Sequence, residues 1–116
     1  MTGPDNGLMI RHIGDKTIVD IEVVNIDFRN SEAIKSQVAS LLNQGNKQIL
    51  LNLGKVTFMD SSGLGVILFC QRACDEAKGK FGVFGVQNYV NNLITLTNLH
   101  KAIAIFPAES EATAAV

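Results

Sequence analysis

The stretch from Gln48 to Leu53 reads Gln-Ile-Leu-Leu-Asn-Leu, a short and almost unbroken apolar run. A strand with one face in water alternates between polar and apolar residues, whereas a strand buried on both faces of a sheet does not. Helices must therefore cover both faces of the sheet that contains this strand. The run predicts an α/β fold in which a central β-sheet is flanked by helices.

The residues before this run predict a β-hairpin followed by a helix. Leu8–Ile13 alternates loosely, Lys16–Val24 is rich in Val and Ile, and the Gly-Asp pair between them favours an antiparallel turn. Apolar residues then recur at helical spacing from Asn30 to Leu42. Asn30 is placed to cap the first turn, and Gly45 lies just past the last turn, where a left-handed residue commonly ends a helix.

The residues after the run predict helices that alternate with parallel strands. In order, they are a helix over Ser62–Lys78 that Gly79 ends, a strand over Phe81–Val86, a short helix over Val90–Leu96 with Asn98 as its left-handed cap, and a last strand over Ala102–Phe106. These strands extend the hairpin into one mixed sheet through right-handed crossovers, and a polar tail follows. We expect one domain over residues 8–116, preceded by a flexible lead-in over residues 1–7.

Composition and charge narrow the range of functions. At 116 residues and 47% apolar residues, the chain fits one domain that folds without metals or disulfides. The chain has ten Lys and Arg and eleven Asp and Glu, so its net charge is −1 and we expect neither a nucleic acid nor a membrane as a partner. No apolar run approaches the roughly 20 residues that span a bilayer, and the N-terminus lacks the pattern of a signal peptide. These features are typical of a cytoplasmic protein.

Motifs for catalysis, cofactors and metals are incomplete. Residues 63–65 lack the third glycine of a dinucleotide fingerprint, and residues 54–55 lack the rest of a P-loop. The two histidines lie far along the chain from the serines that a hydrolase would need them to activate. Cys70 and Cys74 have no further ligands nearby and are expected to pack in the core. We therefore expect no enzyme activity, no cofactor and no metal.

The stretch over residues 58–66, Phe-Met-Asp-Ser-Ser-Gly-Leu-Gly-Val, carries the functional signal. Gly63 and Gly65 stand in the first turn of the predicted helix, although glycine costs about 1 kcal/mol relative to alanine inside a helix. Packing of Gly63 against the sheet, with Ser61 or Ser62 as the cap, accounts for one glycine only. A serine hydroxyl beside glycines at a helix N-terminus is accessible to a partner's backbone. A phosphate there faces the positive end of the helix dipole, so phosphorylation changes the surface without unfolding the domain.

Residues 58–66 resemble the signature of the STAS-domain anti-sigma factor antagonists of bacteria, and the resemblance extends from Leu8 to Phe106. In that family the first serine after the aspartate is phosphorylated by an anti-sigma factor that is itself a serine kinase of the GHKL ATPase fold. That serine corresponds to Ser61. The resemblance implies a STAS-like domain that captures the anti-sigma factor and frees a sigma factor when unphosphorylated. It also implies release on phosphorylation and a metal-dependent serine phosphatase that resets the protein.

The resemblance further implies a kinase contact in the loop before the first helix. The family's aspartate at that place corresponds to Asp27, although residues 24–27 read Val-Asn-Ile-Asp where family members commonly have Gly-Glu-Leu-Asp. We expect the other partner-binding residues in the motif and along the second helix: Asp60, Ser62, Gly63, Leu64, Gly65, Phe69 and Arg72.

Phe69 and Arg72 lie on the face of the second helix opposite its apolar stripe. This position predicts an exposed aromatic anchor about one turn past Gly65, with Arg72 at its rim. In the alternative, the neighbouring helix or the C-terminal tail covers Phe69. With Ser61 as the phosphorylated residue, Ser62 is expected to help cap the helix.

A second hypothesis is a STAS adaptor whose partner is not an anti-sigma kinase. Such an adaptor is a scaffold subunit of a signalling complex or the soluble subunit of a lipid or anion transporter. The unbroken Asp-Ser-Ser-Gly-Leu-Gly stretch over residues 60–65 separates the two hypotheses, because a kinase substrate needs it and a passive adaptor does not. This stretch favours the phosphorylation-controlled antagonist.

Overall fold

The structure is a computed structural model that describes residues 7–116, so all but Gly7 of the predicted lead-in lies outside the described residues. The strands are β1 (Leu8–Ile13), β2 (Lys16–Ile21), β3 (Asn25–Ile26), β4 (Gln48–Asn52), β5 (Phe58–Met59), β6 (Lys80–Phe84) and β7 (Ala104–Phe106). The α-helices are α1 (Ser31–Asn43), α2 (Ser61–Glu76), α3 (Asn88–Leu96) and α4 (Glu109–Ala115), with a 3₁₀ turn over Leu99–Lys101. None of the described helices has the length and hydrophobicity needed to cross a bilayer.

The central sheet contains five of these strands in the order β1-β2-β4-β6-β7. β1 and β2 are antiparallel, and β2, β4, β6 and β7 run parallel to one another. The predicted mixed sheet that begins with a hairpin is therefore confirmed. β4 lies in the middle, and its Ile49, Leu50 and Leu51 are fully buried, as expected for a strand covered on both faces.

Helices cover the two faces of the sheet unequally. Side chains of α1, α2 and α3 form one large core with the face that carries Val19 and Val83. On the other face, Ile18 and Leu50 pack against Ala112 of α4. The expected polar tail is thus a short helix, because alanine fits closely on the sheet and Arg11 of β1 binds the first turn of α4.

Arg11 links the tail to the sheet through two carboxylates. Its guanidinium donates hydrogen bonds to Asp20 at 2.6 and 3.0 Å and to Glu109 at 2.7 and 3.2 Å. Burial disfavours the ionised form of Asp20, but hydrogen bonds from Arg11 and Asn52 outweigh it and hold the pKa of Asp20 below its usual value. The hydrogen bonds from Arg11 likewise lower the pKa of Glu109.

A second, two-stranded sheet was not predicted. The predicted strand over residues 16–24 ends at Ile21, the chain bends, and β3 then pairs in parallel with β5. Ile26 stands opposite Met59 in this pairing. Because parallel strands end at the same edge, the residues that follow β3 and β5 emerge side by side.

Helix ends differ in part from their predicted caps. Asn30 stands at the N-cap position of α1, but its side chain binds the preceding loop, accepting from the Asp27 backbone N–H at 3.0 Å and donating to the Asn25 carbonyl at 2.8 Å. After α2 the left-handed residue is Lys78, with φ of 62°, rather than Gly79. A Cβ on Gly79 would overlap the backbone of Lys47, so that glycine is required for close approach. The predicted left-handed positions at Gly45 and Asn98 are confirmed.

Candidate functional site

Asp60 begins the segment that carries the candidate phosphorylation site. It is the N-cap of α2, and its Oδ1 accepts hydrogen bonds from the backbone N–H groups of Ser62 at 2.8 Å and Gly63 at 3.3 Å. The expectation that Ser62 caps the helix is therefore wrong, since the carboxylate of Asp60 already binds the first N–H groups. Ser61 becomes the first residue of α2, and it is exposed to solvent.

The two glycines of the motif have different surroundings. A Cβ on Gly63 would lie 2.7 Å from Cγ of Met59 and 2.9 Å from the backbone oxygen of Ile26, so the helix cannot approach β3 and β5 with a larger residue there. A Cβ on Gly65 would meet no atom of residues 7–116 within 4 Å. Packing therefore accounts for Gly63 and leaves Gly65 without a reason inside the domain.

Asp27 lies at the same edge as the motif, because the backbone N–H of Asp60 donates to the Ile26 carbonyl at 3.3 Å. Its carboxylate is buried and accepts from the side chain of Arg29 at 2.7 and 3.2 Å and from the Arg29 backbone N–H at 3.0 Å. The side-chain hydrogen bonds from Arg29, followed by the backbone one, hold the pKa of Asp27 below its usual value. The loop presents to solvent Phe28 and Arg29 rather than this carboxylate.

Phe69 does not occupy the exposed position expected of an anchor. It is half-buried and packs against the core, and its ring centroid lies 5.8 Å from Nζ of Lys35 on α1. The neighbouring helix thus covers it, as the alternative held. Arg72 is exposed, as its position on α2 predicts.

Leu68 was missed by the sequence analysis, although its spacing of four residues from Leu64 and seven from Ser61 places it on the same helix face. These residues and Gly65 line one side of an apolar groove of about 340 Å³. Thr97 and Leu99, from the connection between α3 and β7, line the other side. The surface beside Ser61 is therefore apolar and concave.

A stacked aromatic pair was also missed. The rings of Phe58 and Tyr89 lie 5.5 Å apart at an interplanar angle of 19°. Both are exposed, and no spacing rule connects residues so far apart in the chain. The pair stands beside the loop that leads into Ser61.

The described part of the chain holds no cluster of three His, Cys, Asp or Glu side chains placed to bind a metal ion. Cys70 and Cys74 are buried in the core, as expected. Burial raises the pKa of Cys74 to about 11 and that of Cys70 further, so both thiols stay protonated at neutral pH.

Comparisons with known proteins identify relatives that cover most of the chain. Residues 8–112 match the profile of the STAS domain. An anti-sigma F factor antagonist of Paenibacillus polymyxa is 31% identical over 88 residues, which cover 75% of each chain. The crystal structure of an anti-sigma factor antagonist from Mycobacterium paratuberculosis superposes with a TM-score of 0.85 at 21% identity, covering 100% of this chain and 98% of that one. The Bacillus cell fate determinant SpoIIAA, in its phosphorylated form, superposes with a TM-score of 0.71 at 19% identity, covering 92% and 96%.

Proposed function

The chain belongs to the STAS domain family and is a homologue of anti-sigma factor antagonists, and from this we propose that it acts by phosphorylation-controlled partner switching. Unphosphorylated, the domain over residues 8–116 binds an anti-sigma factor and thereby releases a sigma factor. The anti-sigma factor is a serine kinase of the GHKL ATPase fold, and its phosphorylation of Ser61 ends the complex. A metal-dependent serine phosphatase restores the binding form, and the antagonist itself catalyses nothing.

The observation that carries the proposal is the exposed hydroxyl of Ser61 at the start of α2. A kinase must bring the γ-phosphate of ATP to its acceptor oxygen, so the acceptor has to be accessible without unfolding. Asp60 supplies the cap, which leaves the Ser61 hydroxyl with no capping role. Gly65, with open space where a Cβ would stand, allows the partner's backbone to approach the same turn.

A phosphate on Ser61 is compatible with the fold. It adds about −1.5 to −2 charges at the positive end of the α2 dipole, where negative charge is stabilising. SpoIIAA, which shares the fold, has been solved in both its phosphorylated and its unphosphorylated form. We infer that phosphorylation acts on the contact surface, by placing charge and hydration where the partner packs.

The expected contact residues fall into two groups: those that touch the partner and those that hold the first turn of α2 in place. We assign direct contact to Leu64 and Gly65, which line the groove beside Ser61, and to Arg72, which is exposed on α2. Asp60 and Gly63 hold the first turn in position, one through the cap and the other through close packing. Ser62 is half-buried beside them and lies at the edge of the contact. Asp27 joins the contact when a group of the partner displaces Arg29 from its carboxylate.

Mass spectrometry after incubation with ATP and each anti-sigma kinase of the source organism tests the proposal. We expect one phosphate, on Ser61, and none on Ser61→Ala. Ser62→Ala tests the choice of serine, because it keeps the acceptor and removes the neighbouring hydroxyl, and it should still carry one phosphate on Ser61. Stoichiometric labelling of Ser61→Ala, or labelling by no kinase, would contradict the proposal.

A further inference from the structure

The aromatic side chains are unevenly distributed over the molecule. The chain has six phenylalanines and one tyrosine. Four of the phenylalanines are buried or half-buried against the two cores: Phe69, Phe81, Phe84 and Phe106. The other three aromatic residues are exposed, Phe28 by 74%, Tyr89 by 51% and Phe58 by 42%.

The three exposed aromatic residues border the same loop. Phe58 belongs to β5, three residues before Ser61, and Tyr89 of α3 stacks on it. Phe28 follows β3, the strand that pairs with β5, so it emerges beside the residues that lead into α2. Three segments distant in sequence therefore place aromatic rings on, or beside, the paired strands β3 and β5, and β5 leads into Ser61.

Folding does not account for these exposed rings. α3 is already held by Val90 and Ile94, both fully buried, so Tyr89 is not needed to attach the helix. Phe28 leaves about three quarters of its surface in water. Large aromatic side chains are, by contrast, the residues most often found as anchors at the centre of protein interfaces. A ring already held by stacking also loses little rotamer freedom on binding.

The charge around these rings identifies the kind of partner. No charged residue occurs from Phe81 to Leu99, which includes all of α3. Beside Phe28, the charges of Asp27 and Arg29 pair with each other at 2.7 Å. Near Phe58, Lys55 pairs with Glu22 at 2.6 Å and the Asp60 carboxylate caps α2. An aromatic surface whose flanking charges are paired or cap a helix fits the apolar centre of a protein interface, and without an excess of positive charge it does not fit a polyanion.

We propose that Phe28 and the stacked Phe58–Tyr89 pair are the aromatic anchors that bind the anti-sigma kinase around Ser61. The inference rests on the proposed function, because the rings flank the strands that precede α2 and the kinase is the partner that binds the start of that helix. The exposed rings take the place of Phe69, which is half-buried against the core under α1. A second copy of this chain is the competing occupant.

Binding of four variants to the kinase that labels Ser61 tests the inference. Tyr89→Ala and Phe28→Ala should each raise the dissociation constant about thirtyfold or more, as truncation of an interface anchor does. Tyr89→Phe keeps the ring and should bind like the parent. Met9→Ala is the matched control, since Met9 is 42% exposed on the edge strand β1, and its affinity should not change. Thermal unfolding of each variant should match the parent.

The outcomes separate the inference from the proposed function. In one outcome, Tyr89→Ala and Phe28→Ala both bind the kinase like the parent while Ser61→Asp does not bind. That result would show that the rings are not anchors and would leave the phosphorylation switch intact. Parental affinity in Ser61→Asp would overturn the switch and the anchors with it. If Tyr89→Ala unfolds at a lower temperature than the parent, Phe28→Ala decides, because Phe28 is 74% exposed and its truncation removes little buried surface. A parental dimer that Tyr89→Ala converts to a monomer, with kinase binding unchanged, would assign the rings to a second copy.

Discussion

Replacing Gly65 with alanine is expected to stabilise the domain and to weaken its complex with the anti-sigma kinase. Gly65 lies within α2 at a place where a Cβ would meet no atom of the described residues within 4 Å. Glycine inside a helix costs about 0.5–1 kcal/mol relative to alanine, because the unfolded chain loses more backbone freedom. The gain corresponds to about 2–5 °C in melting temperature for a domain of this size.

The same methyl group should hinder a partner whose backbone approaches this turn. Adding a methyl to a well-packed contact costs about 1–3 kcal/mol, which corresponds to a dissociation constant weaker by roughly fivefold to more than a hundredfold. Gly63→Ala provides the contrast, since its Cβ would press on the backbone oxygen of Ile26 at 2.9 Å and should destabilise the domain. The two alanine variants are therefore expected to change stability in opposite directions.

Urea denaturation and a titration with the purified kinase measure the two effects separately. A Gly65→Ala variant that is more stable and binds like the parent would show that no partner approaches this residue. A Gly65→Ala variant that is less stable than the parent would show that the glycine is required inside the domain. Either result would refute the hypothesis that Gly65 is present to let the partner's backbone approach.

The Asp60 cap of α2 and the contact between Arg11 and α4 support two further predictions. Asp60→Ala removes the acceptor of two backbone N–H groups, so the free energy of unfolding should fall by about 1 kcal/mol in urea denaturation, and Asp60→Asn should restore most of it. The pKa values of Asp20 and Glu109 are lowered by Arg11, so their contribution to stability is present above about pH 4 and is lost as the pH falls through their folded-state values. Glu109→Gln should reduce the loss of stability between pH 5 and pH 2 by up to about 1 kcal/mol, and an unchanged pH profile would contradict this role for a half-exposed pair.

Features that depend on local pattern could be predicted from the sequence. The apolar run of β4 predicted burial on both faces, and the left-handed positions at Gly45 and Asn98 follow from rules that hold within a few residues. β3 and β5 could not be predicted, because each has two residues and its partner lies 33 positions away. Two residues show no periodicity, so neither strand is visible without the tertiary structure.

The candidate site was predicted in position more than in detail. Asp60, Ser61 and Ser62 all suit an N-cap, and sequence alone does not decide which of them begins the helix. The carboxylate of Asp60 forms the cap because pairing of β5 with β3 fixes the chain just before it. Phe69 lies on the correct face of α2 to be exposed, but the packing of α1 against that face covers it. The position of a residue along a helix predicts which way its side chain points, but only the tertiary structure shows which element packs there.

The affinity of the anti-sigma kinase for the two forms of this protein, unphosphorylated and phosphorylated on Ser61, tests partner switching most directly. The two forms should have the same melting temperature within about 2 °C, because the phosphate sits at a favourable helix N-terminus. Titration calorimetry with ADP present should give a dissociation constant at least about a hundredfold weaker for the phosphorylated form, since a charged, hydrated group enters a packed contact. Equal affinity of the two forms would contradict the switch, and a large drop in melting temperature would assign the release to unfolding.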